Sequence, residues 1–253
     1  MSFFGHLYDR LFPIAAIEQT DWRRTLSTVP LAASLDRAAT DRLKALCERF
    51  LARKRIVGAA DFEPSPDQCR VVAALACLPV LDLGFHWLRG WREVVLYPGG
   101  FRVHRSWHDA DSGVVTEGPD ELAGEAWERG PLILSWEDIA ADLAAPYEGF
   151  NLVVHEIAHK LDMLTGAADG LPPLPPGLSL RVWTQGMQQA FDDLHAQLDR
   201  QEEPRIDPYA AEGPDEFFAV TSEYLFSAPA VLAEAMPDVH ALLQRFYRPQ
   251  IAA

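Results

Sequence analysis

The sequence predicts an α+β fold that is mostly helical and carries a small β-sheet in the middle of the chain. Apolar residues recur at helical spacing before about residue 80. Short β-branched and aromatic runs follow between Trp91 and Ser135, and helical spacing returns from Phe150 onward. Because helices and strands are grouped rather than alternating, an α+β class is favoured over a repeated βαβ arrangement.

The N-terminal part, residues 1–80, is predicted to be helical. Apolar residues between Leu35 and Leu51 recur at helix-like spacing. A second apolar segment runs from Cys69 to Leu81, and Pro79 should bend or end it. We therefore expect two helices in this part of the chain.

Strands are predicted in the middle of the chain. WREVVLYPGGFRVHRSW contains two short β-branched and aromatic runs around Pro98-Gly99-Gly100, which predicts a hairpin or a bulged turn. GPLILSW predicts a further short strand over Leu132–Ser135, either at an edge of the sheet or in its interior.

The C-terminal half is predicted to be helical again. Ser135 is placed as the N-cap of a helix that runs to about Leu143. The other expected helices cover the run after Phe150 up to Gly166, the run from Leu180 to Leu198, a helix that opens at Pro214, and two short helices separated by Pro229 and Pro237. We expect a single domain over residues 1–253, with the helical part over 1–80 and a core that carries the functional site over 81–253.

The composition excludes some classes of partner. The chain has 253 residues, about half of them apolar, and 37 acidic against 22 basic side chains give a formal net charge of −15. A nucleic-acid-binding surface would need clustered basic residues. The first residues lack the basic start of a secretory signal, and no stretch approaches the roughly 18 apolar residues of a membrane span. We therefore expect a cytoplasmic protein with neither a nucleic-acid nor a membrane partner.

The motif His155-Glu156-Ile157-Ala158-His159 points to a metal site. On a helix, residues four apart lie on one face, so the two imidazoles can converge on one zinc ion. Glu156 lies next to the first ligand and can serve as the general base toward a water whose pKa zinc lowers to about 7. The alternative is a solvent-facing helix whose polar residues bind nothing. The apolar neighbours of the motif favour a buried helix, in which metal coordination compensates the polar side chains.

The local pattern leaves the third ligand open. A catalytic zinc takes three protein ligands and keeps one position free, and four acids follow the motif: Asp162, Glu212, Glu216 and Glu223. Asp162 and Glu223 are better placed as acceptors that orient a ligand imidazole. For each acid, an ordinary surface ion pair is the alternative.

Tyr209 lies seven residues before Glu216 and is a further candidate. A tyrosine hydroxyl near the metal could stabilise a developing oxyanion or donate a proton. The alternative is a partly buried tyrosine of the core.

Four segments together resemble the Mlc titration factor A (MtfA) family of bacterial zinc peptidases: WREVVLYPGGFRV, GEAWERGPLILSWEDI, HEIAHKLDMLTG and DPYAAEGPDEFFAVTSEYLFSAP. They cover about residues 70–230, and in combination they are far more specific than HExxH alone. Glu212-Gly213 departs from the family pattern just before the third-ligand position.

The resemblance implies a zincin-like metallopeptidase fold and a gluzincin-type site similar to that of the anthrax lethal factor catalytic domain. His155 and His159 then match the histidine ligands, Glu156 the base and Glu216 the third ligand. Tyr209 matches a tyrosine that this pattern places seven residues before the glutamate. One zinc ion per chain, aminopeptidase-like activity on small substrates and a link to the glucose repressor Mlc are implied by the same resemblance.

The function expected from the sequence is therefore zinc-dependent hydrolysis of peptide bonds in a peptide or protein substrate. The main alternative is a protein that binds and sequesters a transcriptional repressor, with zinc serving structure only. Glu156 argues against it, because a closed structural site has no use for a general base. A hydrolase of another bond, such as an amidase, is a weaker alternative.

Overall fold

The computed structural model describes residues 14–59, 61–99 and 130–248. Its element order confirms a mostly helical α+β fold with a small sheet. Within these ranges no helix is both long and apolar enough to cross a membrane. The proposed division at about residue 80 and the single domain remain predictions.

Three helices form the N-terminal part of the described chain: α1 (Gln19–Thr28), α2 (Arg37–Arg53) and α3 (Pro66–Cys77). Asp36 caps α2 by accepting a hydrogen bond from the Ala39 amide, and Ser65 and Gln68 form a capping box at the start of α3. Helix α3 is buried along most of its length. The two predicted helices are therefore confirmed as α2 and α3, with boundaries shifted by a few residues.

The sheet is parallel and has the order β1-β2-β3 within the described residues, with β1 at Arg55–Gly58, β2 at Glu93–Tyr97 and β3 at Leu132–Ser135. Ile56 pairs with Val94, and Val94 pairs with Leu132. Helix α3 lies between β1 and β2 in sequence, which is the kind of crossover that parallel pairing requires. The predicted strand at Leu132–Ser135 is confirmed.

Two expectations about the sheet were wrong. Strand β1 was not predicted, because it is only four residues long and lies in a region with helical spacing. The predicted hairpin that begins with β2 is also wrong. Parallel partners occupy both edges of β2, so this strand is interior and has no edge left for a hairpin arm. The second arm that was predicted, at residues 101–107, lies outside the described residues.

Six helices follow the sheet in the described chain: α4 (Trp136–Ala144), α5 (Leu152–Asp162), α6 (Leu180–Asp199), α7 (Pro214–Ser227), α8 (Pro229–Ala235) and α9 (Pro237–Tyr247). Proline occupies the first position of α7, α8 and α9, where its missing N–H costs nothing. The hydroxyl of Ser135 accepts from the Asp138 amide, which confirms the predicted cap of α4.

Helix α5 lies in the centre of the molecule. It packs on α7 and also contacts α3, α4 and β3. The apolar side chains of Val153, Ile157 and Leu161 are fully buried. Because α5 is enclosed by several elements, the polar side chains it carries are held in defined positions.

Candidate metal centre

Helix α5 brings His155 and His159 together. Asn151 caps the helix, since its side-chain oxygen accepts from the Val154 amide at 3.0 Å. The two histidines lie one turn apart on the same face, and their Nε2 atoms are 3.1 Å from each other. The predicted convergence of the two imidazoles is therefore present.

Helix α7 brings Glu216 to the same point. Its Oε2 atom lies 3.2 Å from His155 Nε2 and 3.5 Å from His159 Nε2. Glu216 is in the first turn of α7, where the helix dipole favours a carboxylate. In the described ranges these three residues are the only group of three or more His, Cys, Asp or Glu side chains whose ligand atoms converge.

Glu223, two turns further along α7, binds His155 through the ring nitrogen that does not face Glu216. The Nδ1–H of His155 donates to Glu223 Oε1 at 2.7 Å, and the backbone amide of Asn151 donates to Glu223 Oε2 at 2.6 Å. This contact directs the Nε2 atom of His155 toward Glu216 and His159. The orienting role expected for Glu223 matches this geometry.

Asp162 does not orient an imidazole, contrary to the expectation from its spacing. Its Oδ2 atom accepts from the backbone amides of Asp169 and Gly170 at 3.0 and 2.7 Å. Burial raises the pKa of Asp162 to about 6 in spite of these hydrogen bonds. As the last residue of α5, Asp162 is directed toward the loop that follows the helix rather than toward the ligands.

Glu212 lies outside the converging group, and its backbone amide donates to Tyr209 O at 3.1 Å. Glu156 is half-buried on α5, and its charge contributes to the raised pKa of His155. Of the four acids that the sequence leaves as candidates for the third ligand, only Glu216 has a carboxylate oxygen close to the Nε2 atoms of both histidines.

Tyr209 lies beside the first histidine. It belongs to the 3₁₀ turn Pro208–Ala211, and its ring centroid is 6.2 Å from that of His155. Asp207 caps the turn by accepting from the Tyr209 amide, and the Asp207 amide in turn donates to the hydroxyl of Tyr224 on α7. The turn that carries Tyr209 is thus tied to the helix that carries Glu216.

The spacing of the three ligand atoms fits a metal ion. Ligands about 2.1 Å from a common centre in a tetrahedral arrangement are roughly 3.4 Å from each other, and the observed separations are 3.1, 3.2 and 3.5 Å. Three lone-pair-bearing atoms this close repel one another unless a cation or a proton lies among them. The donor set and its geometry therefore suit a divalent cation.

The charges around the site also favour the binding of a cation. Burial lowers the pKa of His155, but the charge of Glu223 and hydrogen bonding to Glu216 and Glu223 outweigh burial and raise this pKa to about 10. Burial raises the pKa of Glu216, but its polar contacts with His155 and His159 outweigh burial and hold the pKa well below its usual range. In the metal-free protein a proton on His155 supplies positive charge that a metal ion would otherwise provide.

Three of the other histidines lie in the described residues, and none of the three belongs to the cluster. His86, His195 and His240 lie outside the converging group, and His195 packs its ring against Phe191 at 4.5 Å. His6, His104 and His108 lie outside the described residues.

Sequence reasoning missed two residues that shape the site. Asn151 was not identified as the N-cap of α5, although an Asn directly before an apolar helical run is a recognised signal. Gly170 was not singled out either. Its positive φ of 78° and its contact with Asp162 depend on tertiary packing, and the pair Asp169-Gly170 indicates only a turn.

Comparison with known proteins agrees with the geometry. A sequence model of the glucose-regulated metallo-peptidase M90 family matches residues 8–248. The chain is 40% identical over 232 residues to Mlc titration factor A of Pectobacterium atrosepticum, covering 90% of this chain and 85% of the relative. It is 38% identical over 242 residues to Mlc titration factor A of Edwardsiella ictaluri, covering 94% and 91%. These similarities confirm the resemblance drawn from the four segments.

Metal binding should release a proton. Because the raised pKa keeps His155 protonated near neutral pH, the apparent affinity for Zn²⁺ should rise about tenfold per pH unit between about pH 6 and about pH 8. Calorimetric titrations in buffers of different ionisation enthalpy measure the protons released. The substitution Glu223→Gln removes the main cause that raises the pKa of His155. The dependence of the zinc affinity on pH should therefore become shallower in this variant. An affinity independent of pH in the wild type would contradict this account.

Proposed function

The chain belongs to the glucose-regulated metallo-peptidase M90 family, and we propose that it hydrolyses peptide bonds with one zinc ion held by His155, His159 and Glu216. The observation that carries the proposal is the convergence of two imidazole nitrogens and one carboxylate oxygen at separations of 3.1–3.5 Å. Two nitrogen ligands and one oxygen ligand form a donor set typical of catalytic zinc.

A catalytic role is favoured over a purely structural one by the number of ligands. Structural zinc sites are closed by four protein ligands, whereas catalytic sites have three and leave a position for water or substrate. The described residues provide three converging ligands. A half-buried carboxylate, Glu156, follows the first ligand directly and would be available as a base.

In the proposed reaction, zinc when bound supplies a Lewis acid that lowers the pKa of water and polarises a carbonyl. Glu156 accepts a proton from the attacking water and then delivers it to the leaving amine nitrogen. The hydroxyl of Tyr209 donates a hydrogen bond to the oxygen that becomes negative in the tetrahedral intermediate. Glu223 keeps His155 in the tautomer that presents its Nε2 lone pair.

The substrate peptide could lie along β3. Among the described strands β3 is at the end of the sheet, with β2 on one side only, and an extended peptide can add to such an edge through main-chain hydrogen bonds. An aminopeptidase-like preference follows from the family resemblance. A panel of aminoacyl anilides, internal peptides and simple amides separates this preference from endopeptidase and amidase activity.

Replacing Glu156 by Gln should abolish hydrolysis and leave the metal in place. The substitution removes the proton acceptor and none of the three proposed ligands, so we expect wild-type zinc content and a fall in kcat of at least about 100-fold. Zinc content is measured by elemental analysis and activity on the panel above. Glu216→Ala is the matched contrast and should lose zinc as well as activity. Equal activity of Glu156→Gln and the wild type would refute the role of Glu156.

Replacing Tyr209 by Phe should lower kcat and leave zinc binding unchanged. Removing one donor to an oxyanion costs about 100-fold or more in kcat, whereas KM should change little if the hydroxyl acts only in the transition state. Steady-state kinetics with zinc-loaded protein measure both constants. An unchanged kcat would return Tyr209 to the role of a partly buried packing residue.

A second function is suggested by the names of the relatives. The proteins from Pectobacterium atrosepticum and Edwardsiella ictaluri are named as titration factors of Mlc. We propose that this chain also binds a repressor of the Mlc kind and does so in the cytoplasm, where a transcriptional repressor acts. Such binding would use the protein surface and would not require hydrolysis.

Binding of the repressor should survive the loss of catalysis. Glu156→Gln changes one atom of a half-buried side chain, so purified Mlc should bind this variant and the wild type with equal affinity. Size-exclusion chromatography and calorimetry measure the complex. A catalytic variant that no longer binds Mlc would indicate that the repressor is held in the active site, and no binding to either protein would refute the second function.

A further inference from the structure

Asp162 is fully buried at the end of α5, yet its carboxylate binds backbone rather than a ligand side chain. Its Oδ2 atom accepts from the amides of Asp169 and Gly170. A buried carboxylate is costly unless hydrogen bonds compensate it. The two amides therefore tie the loop after α5 to the end of that helix.

The loop between these contacts is compact. A 3₁₀ turn at Met163–Thr165 follows α5 directly, and the hydroxyl of Thr165 donates to Leu171 O at 3.1 Å. The side chain of Asp169 accepts from the Leu171 amide, also at 3.1 Å. These local hydrogen bonds close the loop on itself, so the position of Gly170 follows from the position of Asp162.

Gly170 lies directly against the first residue of α7. A Cβ atom at this position would be 2.5 Å from the carbonyl oxygen of Pro214, a distance that Cβ atoms do not adopt, and 3.0 Å from its carbonyl carbon. The backbone of Gly170 also has a φ of 78°, which favours glycine. Glu216 follows Pro214 by two residues in the first turn of α7.

The same loop is held from its other side. The indole Nε1–H of Trp183 on α6 donates to Gly170 O at 3.1 Å. Trp183 is buried and packs against Phe218 of α7, with ring centroids 5.9 Å apart. Gly170 is therefore fixed between the end of α5, the start of α7 and the side of α6.

We propose that Asp162 is a positioning residue that sets the distance between Glu216 and the two histidines. The contact path runs from the carboxylate of Asp162 through Gly170 to the backbone of Pro214, and so from the helix that carries both histidines to the helix turn that carries the third ligand. The inference rests on the metal site of the proposed function and adds a role that none of the ligands performs.

Two carboxylates then hold the two helices at opposite ends. Glu223 on α7 binds Asn151 and His155 near the start of α5, and Asp162 acts at its end. With Glu223 alone, α7 could pivot about that contact and carry Glu216 away from the histidines. Ligand distances within about 0.2 Å are needed for a tight zinc site, so a small pivot is enough to weaken it.

The test compares zinc-loaded Asp162→Ala and Gly170→Ala with the wild type. Ala at position 162 removes the oxygen that accepts from both backbone amides, and the Cβ of Ala at position 170 pushes directly on Pro214. Both variants should release zinc to excess chelator about 10- to 100-fold faster than the wild type. The absorption bands of the Co²⁺-substituted proteins should also shift, because they report the ligand geometry.

Leu43→Ala is the control for general destabilisation. Leu43 is fully buried in α2, which carries none of the site residues. The variant should lower the urea midpoint of the metal-free protein and leave zinc release and the cobalt bands unchanged. Wild-type zinc release in Asp162→Ala and Gly170→Ala, or equally fast release in Leu43→Ala, would overturn the positioning role alone. A wild type that takes up no zinc would overturn the proposed function, and this inference with it.

Discussion

The arrangement of the site depends on one buried contact, the carboxylate of Glu223 with the ring of His155. This carboxylate also accepts from the Asn151 amide, so it joins α7 to the first turn of α5 and fixes the imidazole tautomer at once. The chain before α5 also comes very close to α7. A Cβ on Gly149, which has a φ of 95°, would be 2.6 Å from the ring of Tyr224 on α7. The chain before α5 therefore needs glycine where it meets α7.

From this contact the charge balance of the site follows. Two carboxylates, Glu216 and Glu223, lie in partly or fully buried positions against the imidazole of His155. Charges removed from water need a compensating partner, and the raised pKa of His155 indicates that the site favours positive charge even without metal. The packing of two helices has thus produced an electronegative site in which two imidazole nitrogens and one carboxylate oxygen already have the spacing of a tetrahedral arrangement.

Much of the helical framework could be predicted, because its signals are local. Proline at the start of α7, α8 and α9 and the Ser135 cap of α4 identify helix starts within a few residues. The sheet could not be predicted to the same degree. Strand β1 has only four residues, and a parallel partner for β2 lies far away in sequence, so short-range patterns suggested a hairpin instead.

The sequence by itself determined that His155 and His159 share one face of a helix and that Glu156 directly follows the first of them, because helical geometry places residues four apart on one face whatever surrounds the helix. It left four acids open as the third ligand, and only the tertiary structure brought Glu216 to the histidines. The expected role of Asp162 was wrong because its carboxylate accepts from amides of the loop after α5, whose path the helical repeat does not determine. Positions within one helix follow from its repeat, whereas the contacts of side chains about 60 residues apart depend on how the helices pack.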